Sequence, residues 1–177
     1  DIQINSSNAA SRNAYARFDC DSRGSEIYNF WTAAYNLIEY ANRFIYGCEN
    51  SPMLNPSNAE YSETNKAAIM QKIGEAKCLR DMVYHDLVVM FGDVPFTFSR
   101  TAERNGNEFL PPVTDRQDIQ DSLINDLKGI APYMNSSAST TVERCSKEFA
   151  EGLIARIALT AGGYSLRPDK SNPSSYG

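Results

Sequence analysis

The chain contains a single histidine, His85, so any histidine-dependent catalytic centre has to be built around this side chain. A Ser–His–Asp or Cys–His mechanism needs a nucleophile and an orienting group within hydrogen-bonding reach of the imidazole ring. The residues one helical turn away from His85 are Asp81 and Val89, and they do not complete such a set. We therefore interpret His85 as a structural side chain within a helix and predict no catalytic residues.

A calcium loop is the nearest match to a metal-binding motif, at residues 19–24, where aspartates occupy positions 1 and 3 and a glycine occupies position 6. The pattern fails at position 5, where Arg23 brings a positive charge, and at position 12, where Phe30 replaces the bidentate glutamate. The aspartates near residues 115–121 fall at the start of a predicted helix, where carboxylates offset the positive end of the helix dipole. The sequence therefore predicts no metal ion and no cofactor.

The four cysteines do not form a recognisable disulfide or zinc pattern, because the chain has no Cys-x-x-Cys pair. Zinc binding would require all four thiols, which are scattered along the chain, to converge on one point. We expect four free or buried thiols at Cys20, Cys48, Cys78 and Cys145.

Aromatic residues in or beside the predicted loops remain as candidates for ligand binding. Proteins that bind sugars without chemistry hold the C–H face of the ring against an aromatic side chain and use polar groups for the hydroxyls. Loop aromatics also pack against the helices beneath them, so this pattern is only a pointer. The candidate residues are Tyr46, Tyr61, Phe96, Phe98, Phe109 and Tyr133.

Helical periodicity predicts two long helices in the first half of the chain. The first extends from about 25 to 46, with Gly47 as its stop, and the second from a cap at Thr64 to a stop at Gly92. The predicted inward residues of the first helix are Ile27, Phe30, Trp31, Ala34, Ile38, Ala41 and Ile45. Those of the second helix are Ile69, Ile73, Ala76, Val83, Leu87 and Met90.

Two shorter helices are predicted in the second half. The third begins at a capping-box pattern in residues 114–117 and ends before Pro132, and the fourth runs from Ser146 to Gly162. The third helix is expected to bury Ile119, Leu123, Leu127 and Ile130. The fourth is expected to bury Ala150, Leu153, Ile154, Ile157, Ala158 and Ala161.

Four helices and no alternating strand pattern of useful length predict an all-α protein. Two consecutive helix pairs suggest tetratricopeptide-like stacked helical hairpins, although the connecting loops are long and irregular. The connector at 93–113 is much longer than a repeat turn, and connectors of this length are usually functional or disordered. We expect residues 1–177 to form one domain.

Charge and hydropathy limit the classes of partner. The formal net charge of −5, with no cluster of lysine and arginine, makes nucleic acid and anionic membranes poor partners. No apolar run approaches the roughly 20 residues that span a bilayer, and no secretory signal opens the chain.

The chain resembles the SusD/RagB family, and residues 74–96 carry most of that resemblance. The pattern G-E-A-K-x-L-R-x-x-x-Y-x-D-L-V-x-x-F-G-D-V-P-F in these residues is similar to the signature helix of that family. Residues 31–42 resemble its first repeat helix, residues 119–127 its short helix with Asp-Leu near the end, and residues 147–167 the helix that closes its second repeat. The four segments come in the order that the family has.

The resemblance implies a non-enzymatic, lipid-anchored protein on the outer-membrane surface of Bacteroidetes cells. Such a protein binds glycans or other nutrients and delivers them to a SusC-like TonB-dependent transporter. Family members are several hundred residues long, so this chain looks like the N-terminal helical-repeat portion of a longer protein. No ligand residue of the family maps onto a numbered position here.

Polar residues within the resembling segments have a structural interpretation. We expect Glu75 and Arg80 to pair with each other or to connect helices, and Asn42 and Arg156 to serve helix contacts. Trp31 is expected in the core. The alternative function is an intracellular helical-repeat adaptor that grips a peptide in a concave groove, with short and regular hairpin turns.

Overall fold

The computed structural model describes residues 25–104 and 111–164, together with the backbone of two short strands further along the chain. Within these residues there are four α-helices, which confirms the all-α prediction. They are α1 (Ser25–Glu49), α2 (Glu63–Phe91), α3 (Arg116–Ile130) and α4 (Lys147–Ala161). Helix α1 packs against α2, and α3 packs against both α2 and α4, so α2 joins the two halves of the bundle.

Two small antiparallel ladders accompany the helices. Strand β1 (Val94–Pro95) pairs with β2 (Val113–Thr114), and β3 (Pro168–Asp169) pairs with β4 (Asn172–Tyr176). These strands were not predicted from the sequence, because elements this short carry no period-two pattern. The β1–β2 ladder brings the two ends of the long connector together beside the C-terminus of α2.

The hydrophobic core is continuous and takes side chains from all four helices and from Val94 in β1. Most of the predicted inward residues are buried, including all four predicted in α3. Met90 and Ala158 are exposed, contrary to prediction. Near the end of α2, Leu87 and Val88 are the buried side chains, so Met90 lies on the solvent side of the helix.

Helix α1 does not stop at Gly47, as predicted, but continues to Glu49. The extra residues are useful because Cys48 packs against the core. The end of the helix is stabilised by Asn50, whose backbone N–H and side-chain amide both donate to the carbonyl of Tyr46, at 3.1 and 2.8 Å.

The N-caps differ from the sequence prediction for α2 and α3 and agree with it for α4. Ser62 rather than Thr64 caps α2, accepting from the N–H of Asn65 at 3.0 Å. Asp115 rather than Thr114 caps α3, because Thr114 is used in the β1–β2 ladder. Ser146 caps α4 as predicted.

The C-terminus of α2 is as predicted, at Gly92. This glycine has φ +79° and ψ −121°, and its N–H donates to the carbonyl of Val88. A backbone conformation of this kind is essentially reserved for glycine. It turns the chain directly into β1.

Arg80 lies almost completely buried at the centre of a polar cluster that joins three helices. Its guanidinium group donates to Asp81 at 2.9 Å, to the Asn42 amide oxygen at 3.0 Å and to Asp126 at 2.6 Å. The guanidinium also lies over the ring of Phe98, 3.9 Å from its centroid. Arg80 therefore connects α1, α2, α3 and the connector.

Glu75 does not pair with Arg80. It receives two hydrogen bonds from Arg144, at 2.8 and 2.6 Å, and one from Gln71 at 2.8 Å. Both Glu75 and Arg80 thus connect separate elements, which was one of the two expected roles. Arg156 pairs with Asp86 at 3.3 Å on the surface between α4 and α2.

Candidate ligand-binding cleft

A cleft of about 600 Å³ lies between α1, Tyr84 of α2 and the connector, and it is the strongest candidate for a binding site in the described residues. Clefts that hold small ligands usually have volumes of 300–1,000 Å³. Helix α1 contributes Trp31, Tyr35, Asn36, Ile38, Glu39 and Asn42, which recur at helical spacing along one face. The connector contributes Pro95, Thr97, Thr101, Arg104, Pro111 and Val113.

One wall of the cleft is aromatic. Trp31 packs against Tyr35, with ring centroids 4.9 Å apart, and edge-on against Phe91 at 5.0 Å. Tyr35 in turn meets Tyr84 edge-on at 6.4 Å. Trp31 is half-buried, so the residue predicted to lie in the core contributes to both the core and the cleft.

A second part of the cleft lining is polar and is organised by Glu39. The carboxylate accepts from the backbone N–H of Thr101 at 3.0 Å, from its hydroxyl at 2.8 Å and from Arg104 at 3.3 Å. Arg104 also donates to the Thr101 hydroxyl at 2.8 Å. This negative charge is thus neutralised within the cleft, and Asn36 lies exposed beside it.

The connector is held to the helices by several long-range hydrogen bonds. The Tyr35 hydroxyl donates to the carbonyl of Pro95 at 2.8 Å. The Tyr84 hydroxyl donates to the carbonyl of Thr97 at 2.9 Å and accepts from its N–H at 3.2 Å. Asn42 donates weakly to the carbonyls of Thr97 and Ser99 at 3.4 Å. These bonds preorganise the cleft wall.

Burial keeps both tyrosine hydroxyls protonated. It raises the pKa of Tyr84 to about 12 and the pKa of Tyr35 further still, with a smaller contribution from the neighbouring phenol in the case of Tyr35. At neutral pH these groups are therefore hydrogen-bond donors, and the connector contacts do not titrate.

The aromatic and neutralised polar walls suit an uncharged ligand with hydroxyl groups. An aromatic face accommodates the C–H side of a sugar ring, and amide, hydroxyl and guanidinium groups bond to its hydroxyls. The described residues offer no group of three His, Cys, Asp or Glu side chains that could hold a metal ion.

The connector aromatics Phe96 and Phe98 belong to the packing beneath the connector. The ring of Phe96 packs edge-on against Tyr84, with centroids 5.0 Å apart, and against Phe98, with centroids 4.9 Å apart. Phe96 and Phe98 are both half-buried. Phe98 also supports the guanidinium of Arg80. Neither residue lines the cleft.

The other loop aromatics lie in separate places. Tyr46, in the last turn of α1, stacks under the guanidinium of Arg100, 3.5 Å from the ring centroid. Tyr61 donates a short hydrogen bond to Glu63 before α2, and Tyr133 is exposed after α3. Phe109 lies outside the described residues.

Four cleft residues were not predicted from the sequence: Asn36, Glu39, Thr101 and Arg104. The α1 residues Tyr35, Asn36 and Glu39 follow Trp31 at positions that a helical-wheel projection would have grouped together. No local signal connects Thr101 and Arg104 with Glu39, since their contacts span 62 and 65 residues of sequence.

His85 is buried against α4, as expected of a structural side chain. Its Nε2 lies 3.5 Å from the Thr160 hydroxyl, and its Nδ1 has no hydrogen-bond partner among the described residues. Burial lowers the pKa of His85, with a further contribution from the positive charge of Arg156 and partial opposition from Asp86. The ring is therefore neutral at pH 7.

Neither a protein-family model nor a curated protein sequence matches this chain. Solved structures do match it. A SusD homologue from Bacteroides thetaiotaomicron superposes with a TM-score of 0.70 and 24% identity, over 82% of this chain and 27% of that one. A SusD-like carbohydrate-binding protein from Bacteroides fragilis superposes with a TM-score of 0.64 and 22% identity, over 80% of this chain and 25% of that one. Surface glycan-binding protein A from Bacteroides uniformis superposes with a TM-score of 0.65 and 17% identity, over 84% of this chain and 30% of that one.

The described part of the molecule is thus an all-α, tetratricopeptide-like domain with an organised cleft beneath its long connector. More particularly, its fold is that of the helical part of SusD-like proteins, and the resemblance found in the sequence is confirmed at the level of the fold. The chain spans between about a quarter and a third of the length of these relatives.

Proposed function

We propose that this chain is the helical-repeat portion of a SusD/RagB-type protein that captures oligosaccharides without catalysis. In this proposal the whole protein lies at the outer-membrane surface, held by a lipid anchor, and passes the glycan to a SusC-like TonB-dependent transporter. The observation that carries the proposal is the fold likeness, over 80–84% of this chain, to proteins described as carbohydrate-binding and glycan-binding.

The cleft supports the capture role. Trp31 and Tyr35 would provide the apolar face for a sugar ring, while Asn36, Thr101 and Arg104 would bind its hydroxyls. Because Glu39 is neutralised by its partners, we infer a preference for uncharged over acidic or basic glycans. Tyr46, Tyr61, Phe109 and Tyr133 stay predictions as additional contacts, whereas the packing of Phe96 and Phe98 favours a structural role for them.

The test is isothermal titration of the folded chain with neutral gluco-, manno- and xylo-oligosaccharides, with oligogalacturonates as an acidic comparison. Saturable binding of a neutral class, accompanied by a change in fluorescence of Trp31, the only tryptophan, would support the proposal. Removing a ligand-bonding amide costs on the order of tenfold in affinity. We therefore expect Asn36→Ala to weaken binding about tenfold.

Asn29→Ala is the matched control, because Asn29 is also an exposed amide on α1 but does not line the cleft. Equal losses in both variants would contradict the cleft as the binding site. If the folded protein bound none of the oligosaccharides in the titrations, glycan capture by this portion of the protein would be contradicted. Release of reducing ends from any bound glycan would contradict the non-catalytic part of the proposal.

Transfer to a transporter needs a separate test in cells. The full-length protein, affinity-tagged and extracted from outer membranes, is expected to co-purify with a TonB-dependent transporter. Recovery of the protein from the cytoplasm with a peptide-bearing partner would instead support the helical-repeat adaptor. The long connector, hydrogen-bonded to two helices, departs from the short turns which that alternative predicts.

A further inference from the structure

Cys78 and Cys145 lie side by side between α2 and the residue that precedes the N-cap of α4. Cys78 is fully buried in the core, whereas Cys145 is half-buried and packs against that core. Both are free thiols, and the two side chains are close enough to interact within one core cluster.

Two polar contacts hold the backbone of Cys145 against α2. Gln71, which is buried, donates to the carbonyl of Cys145 at 2.9 Å and accepts from the N–H of Asn135 at 2.7 Å. The preceding residue, Arg144, makes its two-fold contact with Glu75, which lies one helical turn before Cys78. The loop thus presents Cys145 to Cys78 in a fixed position.

We propose that Cys78 and Cys145 are a dithiol–disulfide pair that closes on reaction with an acceptor disulfide and covalently joins α2 to the start of α4. This inference goes beyond glycan capture and does not depend on it. The overall change is two protein thiols and one acceptor disulfide giving one protein disulfide and two acceptor thiols, so that two electrons and two protons pass to the acceptor.

Cys145 is the thiol that attacks first. It is the more accessible of the pair, and the interaction between the two thiols lowers the pKa of Cys145 and raises the pKa of Cys78. The Cys145 thiolate attacks the acceptor disulfide, forming a mixed disulfide and releasing one acceptor thiolate. Cys78 then gives up its proton and attacks the Cys145 sulfur, and the second acceptor thiolate leaves and takes up a proton.

The experiment treats the reduced, folded chain with oxidised glutathione, quenches with acid, alkylates the remaining thiols and digests with trypsin. Cleavage after Lys77, Arg80, Arg144 and Lys147 releases the tripeptides 78–80 and 145–147. The expected product is these two tripeptides joined through a disulfide. Before oxidation, iodoacetamide is expected to label Cys145 at least about tenfold faster than the fully buried Cys78.

Cys48→Ser is the control, since Cys48 is half-buried on α1 and is not part of the pair. This variant should form the same cross-link, and Cys145→Ser should not. The oxidised chain is expected to unfold at a temperature higher by about 5–10 °C, because the disulfide restricts the unfolded state.

A comparison with unfolded protein keeps the result independent of any variant that fails to fold. Folded protein should form the cross-link at a ratio of oxidised to reduced glutathione at least about tenfold lower than protein in 8 M urea. Equal ratios, a cross-link to Cys20 or Cys48, or an unchanged unfolding temperature would each overturn the proposal.

Discussion

Arg80 shows how one residue can decide the packing of several helices. Its buried guanidinium group donates to Asp81, Asp126 and Asn42, while the second carboxylate oxygen of Asp81 has no hydrogen-bond partner among the described residues. Burial raises the pKa of Asp81 to about 7 against the opposing effect of Arg80, whereas Asp126 has a second cationic partner in Lys77 at 2.7 Å. Removing Arg80 would leave the two carboxyl groups without their shared partner.

We predict that Arg80→Met destabilises the protein by about 3–5 kcal/mol, which is typical of breaking one side of a buried ion cluster. Urea unfolding at pH 7 measures the change. Arg156→Met is the matched control, because its own side chain is 60% exposed and that of its partner Asp86 is 39% exposed, and it should cost less than about 1 kcal/mol. Equal costs for the two variants would contradict the structural role of Arg80.

His85 should make stability fall in mild acid. Its pKa in the folded state lies below the unfolded value, so the folded state binds fewer protons in the interval between the two. The stability from neutral His85 is therefore present above about pH 6.5 and is lost as the pH falls through the depressed folded value. The loss cannot exceed about 1.4 kcal/mol per pH unit.

The measurement compares urea unfolding of the wild type and His85→Gln at pH 7.5 and 5.5. We expect the stability advantage of the wild type to shrink at the lower pH. Asp81 acts in the opposite direction, because its raised pKa makes its contribution decrease as the pH rises from about 4 to 7. The difference in free energy of unfolding between the wild type and His85→Gln does not contain the Asp81 contribution, because both proteins carry Asp81. A pH-independent difference would show that His85 does not titrate differently on folding.

At the scale of elements, α2 matters most because it contacts both halves of the bundle and ends at the residue that starts the connector. Gly92 makes this ending sharp. A Cβ atom placed there would lie 2.5 Å from the Arg116 guanidinium, which pairs with Asp93. The direction of the connector, and with it the cleft, thus depends on this glycine.

We predict that Gly92→Ala destabilises the protein by about 1–3 kcal/mol, through backbone strain at positive φ. Gly129→Ala makes the same chemical change inside α3, where nothing lies within 4 Å, and should stabilise by about 0.5–1 kcal/mol. Thermal unfolding of the two variants gives the comparison. Effects of the same sign would contradict the assignment of strain to Gly92.

Local signals predicted the helices well. Helix positions came from apolar spacing, and the ends at Gly92 and Ser146 came from residues that act within one turn. Two caps were assigned wrongly because neighbouring polar residues competed for the same role, and Thr114 was taken by the ladder with Val94. Gly47 was assigned as the end of α1 because glycine often ends helices. The glycine alone does not show that Cys48, beyond it, packs against the core and that the helix continues to Glu49.

At the scale of the whole molecule, the continuous core argues for one cooperative unit rather than two independent repeats. Arrays of repeats can lose structure locally, since each unit contacts only its neighbours. Here the 29-residue α2 contributes to contacts with every other helix. The prediction of a single domain therefore has a direct thermodynamic test.

We predict a single unfolding transition in urea, coincident for two probes. Fluorescence of Trp31 reports on α1 and its contact with the end of α2, while far-ultraviolet circular dichroism reports on all four helices. Midpoints that agree within error would support one domain. An earlier fluorescence midpoint would show that the α1–α2 pair unfolds separately and would contradict the prediction.

The sequence by itself determined the helices, most of the inward residues and the likeness to SusD-like proteins, because these depend on residue types repeated within a few turns. Only the tertiary structure decided the cleft and the paired thiols. Those features bring together residues separated by 60 positions at Tyr35 and Pro95 and by 74 at Gln71 and Cys145. No local pattern encodes such contacts, since they form only when four helices pack around one core and fix the paths of the connector and the loop before α4.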